Sequence, residues 1–249
     1  MKGLLITGYW NSGTTMLVDL LRKHSQLQLT RGKWLPNLEE RSTRRWLPGG
    51  FIQLGDSYAP ILDGGWDAHQ EPSLSDQEIR DFRRKFGWTF WTWPGKQVLA
   101  KNPWWMFIPG TLNRVFREDE IRYLMVFREG IHQVVSKYYW QNGPLPEREM
   151  LERRAKFWVM CIDYYERHWH GREDVLTLDY AHICQNPTAE LEKIFVHLGM
   201  DCESFLPQVP SKLENRTAHW DRLDPSYQDL VLEIVTPAQE KLNRLLGLI

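Results

Sequence analysis

The sequence predicts an α/β protein in which helices cover both faces of a parallel β-sheet, giving three layers. Short apolar runs that suit buried strands alternate along the chain with longer segments of helical periodicity, a pattern typical of parallel sheets. The first apolar run also leads directly through a glycine-bounded loop into a helix. The chain has 249 residues, of which 42 % are hydrophobic and 25 % charged, so it can form a globular domain with a sizeable core.

The first predicted unit is a strand, a tight loop and a helix. Residues 4–7 form a short apolar run of the kind found in buried parallel strands. Residues 8–13 form the loop, because they begin and end with glycine. Apolar side chains at helical spacing then predict a helix over residues 14–24.

The remaining elements follow in alternation. Residues 75–78 have the S-x-x-E form of a capping box, which predicts a helix from there to about residue 86. Further strands are predicted at residues 97–100, 122–127 and 175–178, and further helices at residues 131–140, 147–170, 187–198 and 226–246. Gly199 is the expected stop of the helix before it, and Pro237 is expected to interrupt the last helix.

The segment between the first helix and the second strand has a different character. Residues 25–73 have no clean period and contain several prolines and glycines. We therefore expect a single domain over residues 1–249, in which residues 25–97 form a substrate-binding lid. The 13 tryptophans, several of them clustered at the end of this segment and just beyond it, fit either core packing or an aromatic pocket for a flat, cyclic or cationic ligand.

Composition excludes several classes of protein. A net charge of −1 excludes a generally basic protein that coats nucleic acid. No apolar run approaches the length of a membrane helix, and the N-terminal run is too short for a signal peptide, so we expect a cytoplasmic protein. Three cysteines without CxxC spacing predict reduced, structural thiols. The oligomeric state stays open, with a homodimer among the options.

The loop over residues 8–15 is the first candidate binding site. Its G-x4-G spacing between a strand and a helix is that of a phosphate-binding P-loop. Thr14 and Thr15 stand where a nucleoside triphosphatase has Lys-Ser/Thr. Such a loop can hold one phosphate with N–H and O–H donors but is poorly equipped for a metal-bound triphosphate. The alternative interpretation is an ordinary glycine turn that leads into a helix.

A second candidate lies after the strong strand at residues 122–127. Arg128 follows the carboxyl end of this strand, and Ser136 follows eight residues later. Ligands of open α/β sheets bind at such strand ends, and arginine offers phosphate a planar fork of donors. A solvated arginine and an ordinary helical serine are the alternative for either residue alone.

Three blocks, covering residues 4–24, 98–140 and 174–200 in order, resemble the sulfotransferases that use 3′-phosphoadenosine 5′-phosphosulfate (PAPS) as sulfonate donor. The resemblance implies the fold of the P-loop-containing nucleotide hydrolases. It implies that Ser12, Gly13, Thr14 and Thr15 bind the 5′-phosphosulfate group. It further implies that Arg128 and Ser136 bind the 3′-phosphate, that Tyr180 lies beside the adenine, and, more loosely, that Arg216 also meets the 3′-phosphate.

The same resemblance suggests catalytic residues. Asn11 stands where the family commonly has lysine or arginine, so an amide donor replaces the usual positive charge. Lys101 matches a lysine that many members place beside the sulfonate. Pro103 stands where cytosolic members often carry a histidine base, and Glu39 or Glu40 is the base suggested by the branch that acts on sugars. No metal is expected, because no cluster of side chains has metal-ligand spacing.

The leading hypothesis is therefore an enzyme that moves a sulfonate group from PAPS to a hydroxyl or amine of a small molecule or carbohydrate. It would release adenosine 3′,5′-bisphosphate. Two alternatives stay open at this point: a P-loop nucleotide kinase or nucleotidase, and a nucleotide-binding module with impaired catalysis. Thr14 in place of the P-loop lysine argues against the kinase, whereas Asn11 and Pro103 are compatible with the impaired module.

Overall fold

A computed structural model describes residues 3–9, 11–29, 75–77, 79–80, 83–84, 95–101, 103–117, 120–135, 147–215 and 220–249. Its sheet contains five strands: β1 (Gly3–Gly8), β2 (Leu27–Leu29), β3 (Gln97–Lys101), β4 (Ile121–Phe127) and β5 (Val175–Asp179). They lie in the order β2-β3-β1-β4-β5, and every neighbouring pair is parallel. The predicted α/β class and parallel sheet are confirmed.

The α-helices that surround the sheet are α1 (Thr14–Leu21), α2 (Pro109–Val115), α3 (Gly130–Val134), α4 (Arg148–His168), α5 (Tyr180–Gln185), α6 (Pro187–Leu198) and α7 (Pro225–Leu245). Short 3₁₀ helices occupy Pro103–Phe107, Leu206–Gln208 and Trp220–Arg222. The described residues between 75 and 84, Ser75 excepted, are also helical, in agreement with the capping box.

Side chains of the central strands alternate between two separate hydrophobic cores, because successive residues of a strand point to opposite faces of the sheet. Leu5 and Met125 face α3, α4 and α7. Leu4 and Leu124 face α1, α5 and α6. Both faces are therefore covered by helices, which gives the three predicted layers and explains why the central strands are almost uniformly apolar.

Three elements differ from the sequence-based expectation. Leu27–Leu29 forms an edge strand paired with β3, which is not predicted from the sequence because its alternation of leucine and glutamine covers very few residues. The predicted helix at residues 131–140 is observed as α3, and residues 136–140 lie outside the described part. Helix α7 runs without a break through Pro237. That proline lies on the exposed side of α7, where water can satisfy the carbonyl group left without its N–H partner.

None of the helices within the described ranges is both long and apolar enough to cross a membrane. All three cysteines are free thiols, as expected from their spacing.

Candidate active site

Four neighbouring strands bring the predicted site residues to one edge of the sheet. Strand β1 ends at the loop that carries Asn11, and β3 ends at Lys101. Arg128 directly follows β4, and Tyr180 directly follows β5. Because all strands are parallel, these four carboxyl ends face the same way. The connection after β1 runs towards β2, and the connection after its neighbour β4 runs towards β5 on the other side. Open α/β sheets bind their ligands at such a point.

A close backbone approach and a hydrogen-bonded turn hold the loop after β1. The backbone of Gly8 lies so near to β4 that a β-carbon on Gly8 would be 2.3 Å from the carbonyl oxygen of Val126, and Gly8 has a positive φ of 140°. The buried hydroxyl group of Ser12 donates a hydrogen bond to the carbonyl oxygen of Tyr9 at 2.7 Å, and the Ser12 N–H donates to the same oxygen. Ser12 therefore closes the loop on itself.

Asn11 lies at the turn of this loop in a left-handed conformation, with φ of 60°. Asparagine tolerates this conformation better than most residues with a side chain. Its side-chain nitrogen Nδ2 is buried and has no hydrogen-bond partner among the described residues. A buried N–H donor of this kind costs free energy unless a ligand or water accepts from it, so the loop offers a donor that the described protein does not use.

Helix α1 begins directly after the loop. Gly13 is its N-cap residue and has no side chain to accept from the first N–H groups. Thr14 is buried, whereas Thr15 is exposed. The ammonium group of Lys101 donates to the Thr15 hydroxyl at 2.9 Å, so a charge from the neighbouring strand reaches the start of the helix. The combination of helix start, hydroxyl groups and lysine favours an anion.

Arg128 supplies the second positive charge of the site. Its guanidinium is largely buried and donates from Nη1 to the carbonyl oxygen of Asn11 at 3.4 Å. Burial lowers the pKa of Arg128 from its usual value, while Tyr180 and nearby acidic groups oppose that shift. An arginine keeps its charge over the whole physiological range even so. A buried guanidinium in this position can bind phosphate with a strength that a solvated one lacks.

Tyr180 connects the two charged regions. Its ring lies under the guanidinium of Arg128, with Cζ 4.8 Å from the ring centroid. The same ring packs on the backbone of Gly13, where a β-carbon would lie 2.2 Å from Cδ2. The Tyr180 hydroxyl donates to the carbonyl oxygen of Glu214 at 3.5 Å.

Several supporting contacts were not anticipated from the sequence. The hydroxyl group of Thr7 donates to the carbonyl oxygen of Pro103 at 3.1 Å, which ties the ends of β1 and β3 together. The N–H of Gly130 donates to the side-chain oxygen of Gln239 at 2.9 Å, so α7 caps the helix that follows Arg128. These partners lie far apart in the chain, and no local pattern could have paired them.

Four predicted site residues lie outside the described ranges: Glu39, Glu40, Ser136 and Arg216. Most of the clustered tryptophans lie there too, while Trp105 belongs to the core. Among the described residues, no group of three or more His, Cys, Asp or Glu side chains could hold a metal ion.

Comparison with known proteins assigns the class. A profile described as "Sulfotransferase family" matches residues 3–204. The chain therefore belongs to the sulfotransferase family, and its class of activity is that of a sulfotransferase enzyme. The predicted membership of the sulfotransferase family is confirmed, and it decides against a nucleotide kinase. Comparison with curated protein sequences gives no significant match.

Solved structures share the fold. A sulfotransferase from Alicyclobacillus acidocaldarius superposes with a TM-score of 0.58 at 14 % identity, over 99 % of this chain and 96 % of that one. A sulfotransferase domain from the Synechococcus olefin synthase gives 0.58 at 16 % identity, over 97 % and 94 %. A mouse sulfotransferase complexed with adenosine 3′,5′-bisphosphate (PAP) gives 0.58 at 15 % identity, over 99 % and 87 %. At such identities the likeness concerns the fold.

Proposed function

We propose that this enzyme transfers a sulfonate group from PAPS to a hydroxyl or amine of a small-molecule or carbohydrate acceptor and releases PAP. The observation that carries the proposal is the meeting of two positively charged groups at one sheet edge. Lys101 reaches the start of α1 from β3, and Arg128 is buried beside the loop from β4. Two cationic groups on different strands, one at the start of α1 and one after β4, suit a nucleotide with phosphate groups at both its 5′ and its 3′ position. A structure of the same fold is described as a PAP complex, which supports this choice of nucleotide.

In the proposed donor complex, the loop and α1 bind the 5′-phosphosulfate end. The N–H groups at the start of α1 and the hydroxyl groups of Thr14 and Thr15 are the donors for its oxygens. Ser12 contributes by keeping the loop closed. Arg128 binds the 3′-phosphate, and Ser136 and Arg216 are the further residues that the family resemblance assigns there.

The proposed transfer needs the protein to stabilise charge, and it needs no covalent intermediate with a protein side chain. The acceptor atom forms a bond to sulfur while the bond from sulfur to the 5′-phosphate oxygen breaks, and negative charge grows on the leaving phosphate. Lys101 is the group that stabilises this charge. The side chain of Asn11 adds a neutral hydrogen bond from Nδ2, which has no partner among the described residues. Glu39 or Glu40 accepts the proton of the acceptor.

The proposed acceptor site involves the segment over residues 25–97, which acts as a lid on the single domain of residues 1–249. Its first strand, β2, is part of the sheet, so the lid proper begins after residue 29. The tryptophans of this segment would line the pocket for the acceptor.

The proposal is tested by the affinity for PAP of two arginine variants on the same strand. Arg128→Ala removes the buried guanidinium at the carboxyl end of β4 and should weaken binding about 10- to 100-fold, because a phosphate loses its charged partner. Arg122→Ala, at the amino end of the same strand, should change the affinity less than about twofold. Isothermal titration gives both values. Equal affinities for the wild type and Arg128→Ala would contradict the assignment.

A further inference from the structure

We infer that Tyr180 is a positioning residue that makes the donor site selective for a 3′-phosphate, and that it acts by holding the guanidinium of Arg128. This inference rests on the proposed function and deepens it. The family resemblance puts the tyrosine beside the adenine, and its contacts favour a different role.

The first observation is that the ring of Tyr180 is already enclosed. Only 5 % of the residue is exposed, and the guanidinium of Arg128 covers one face of the ring. The ring also contacts the apolar cluster of α1, α5 and α6. An adenine could stack on this ring only after the arginine had moved away, so the described arrangement does not offer a surface for the base.

The second observation is that Tyr180 contacts three segments of the site at once. It lies against Gly13 in the loop, under Arg128 after β4, and its hydroxyl donates to Glu214. The backbone of Tyr180 is also fixed, because Tyr180 is the first residue of helix α5. Asp179 caps this helix by accepting a hydrogen bond from the N–H of His182 at 2.9 Å. The ring is thus held from several sides.

The third observation concerns the arginine. A flexible chain of methylene groups separates a guanidinium from its backbone, so a buried arginine needs contacts that select one orientation. The flat ring below it and the carbonyl oxygen of Asn11 at 3.4 Å supply two such contacts. A guanidinium stacked on an aromatic ring directs its N–H groups outward at the edge, where a phosphate binds. Without the ring, Arg128 keeps its charge but loses its fixed direction.

The test compares two nucleotides that differ only in the 3′-phosphate: PAP and adenosine 5′-monophosphate. In Tyr180→Leu, which removes the ring, the affinity for PAP should fall about tenfold, while that for the monophosphate should change less than about twofold. In Tyr180→Phe, which keeps the ring and loses only the hydroxyl, the ratio of the two affinities should equal that of the wild type. Should Tyr180→Leu not fold, Tyr180→Met also removes the ring, and its longer, flexible side chain adapts better to the space that the ring leaves.

A double-mutant cycle shows whether the effect passes through the arginine. In an Arg128→Gln background, Tyr180→Leu should change the affinity for PAP less than about twofold, because there is no guanidinium left to hold. Equal losses for both nucleotides would mean that Tyr180 contacts the adenine, and would overturn the inference. No loss for either, or an undiminished loss in the Arg128→Gln background, would also overturn it. If the wild type bound neither nucleotide, the proposed function itself would fail.

Discussion

At the scale of single residues, the site depends on two positions whose importance comes from packing. The loop could be predicted from the sequence as a candidate phosphate-binding site, because the spacing of its glycines and hydroxyl residues is local. The contact between Gly13 and Tyr180 could not, because the two residues approach only once β1 and β5 have joined the sheet. Both residues could be predicted as site residues from the sequence. That the ring of Tyr180 leaves no room for a side chain at position 13 could not be predicted.

This contact predicts a severe effect of Gly13→Ala. The new β-carbon would lie 2.2 Å from the ring of Tyr180, and Gly13 has a φ of 93°, which disfavours any side chain. We expect a loss of about 2–4 kcal/mol in the free energy of unfolding, from backbone strain and overpacking together. Urea denaturation measures this value.

Gly171→Ala is the matched control. Gly171 also has a positive φ, of 77°, but a β-carbon there would meet no described atom within 4 Å beyond its chain neighbours. This variant should lose only the backbone contribution, about 1 kcal/mol. If both variants lost the same free energy, the packing of Tyr180 on Gly13 would not be the cause.

At the scale of elements, the strongly apolar strands and the long helices could be predicted, and the weak elements could not. Strand β2 has three residues, Leu27, Gln28 and Leu29, and their alternation is too short to predict a strand, so the pairing with β3 decides its structure. Helix α7 continues through Pro237 because buried Val231, Val235, Ala238 and Leu242 share one face and pack on the core. Tertiary packing outweighs the local cost of proline there.

Helix α3 offers a test of how packing supports the site, because it follows Arg128 directly. A β-carbon on Gly130 would lie 2.3 Å from Cγ1 of Val235 in α7 and 3.0 Å from the ring of Trp158 in α4. Gly130→Ala should therefore destabilise the protein by about 1–3 kcal/mol and displace the start of α3. We expect the affinity for PAP to fall with it.

Val235→Ala provides the matching cavity. Alone it should cost about 1–3 kcal/mol through lost burial. Combined with Gly130→Ala, it makes room for the added methyl group, so the double variant should be more stable than the sum of the single effects predicts. Strict additivity in chemical denaturation would show that α3 and α7 do not meet as described.

At the scale of the whole molecule, the parallel sheet and the covering of both its faces follow from the alternation of apolar runs and helical segments along the chain. The order of the strands does not follow from that alternation, because non-consecutive strands become neighbours in the sheet. The elements of the segment proposed to bind the acceptor could not be derived in the same way, because residues 25–73 have no clean period. Local patterns therefore predict the elements around the proposed nucleotide site much better than the segment proposed to bind the acceptor.

Stability of the whole molecule should depend on pH through two partly buried histidines. Burial is the main cause that lowers the pKa of His132 and of His197 from the ordinary 6.5, and a nearby arginine lowers each pKa further. At His132, the carboxylates of Glu129 and Asp221 oppose the shift. At His197, Asp174 opposes it. As the pH falls below 6.5, the unfolded chain binds protons that the folded chain does not. The free energy of unfolding should therefore fall between pH 7.5 and 5.5.

The double variant His132→Gln/His197→Gln isolates this effect. It should show a smaller loss of stability over the same pH window, which lies above the range in which carboxylates titrate. Denaturant midpoints at pH 7.5 and 5.5 give the comparison. A wild-type protein that became more stable on acidification, or a variant with an unchanged slope, would refute the assignment of these two groups.

Thermal unfolding of the purified protein shows whether it binds the PAPS nucleotide, as proposed for the carboxyl edge of its sheet. PAP at about 100 times its dissociation constant should add about 2.7 kcal/mol and raise the midpoint by several degrees, without magnesium. ATP with magnesium, at the same concentration, should raise it much less. A shift with magnesium and ATP alone, or no shift with either nucleotide, would show that the proposed donor site is wrong.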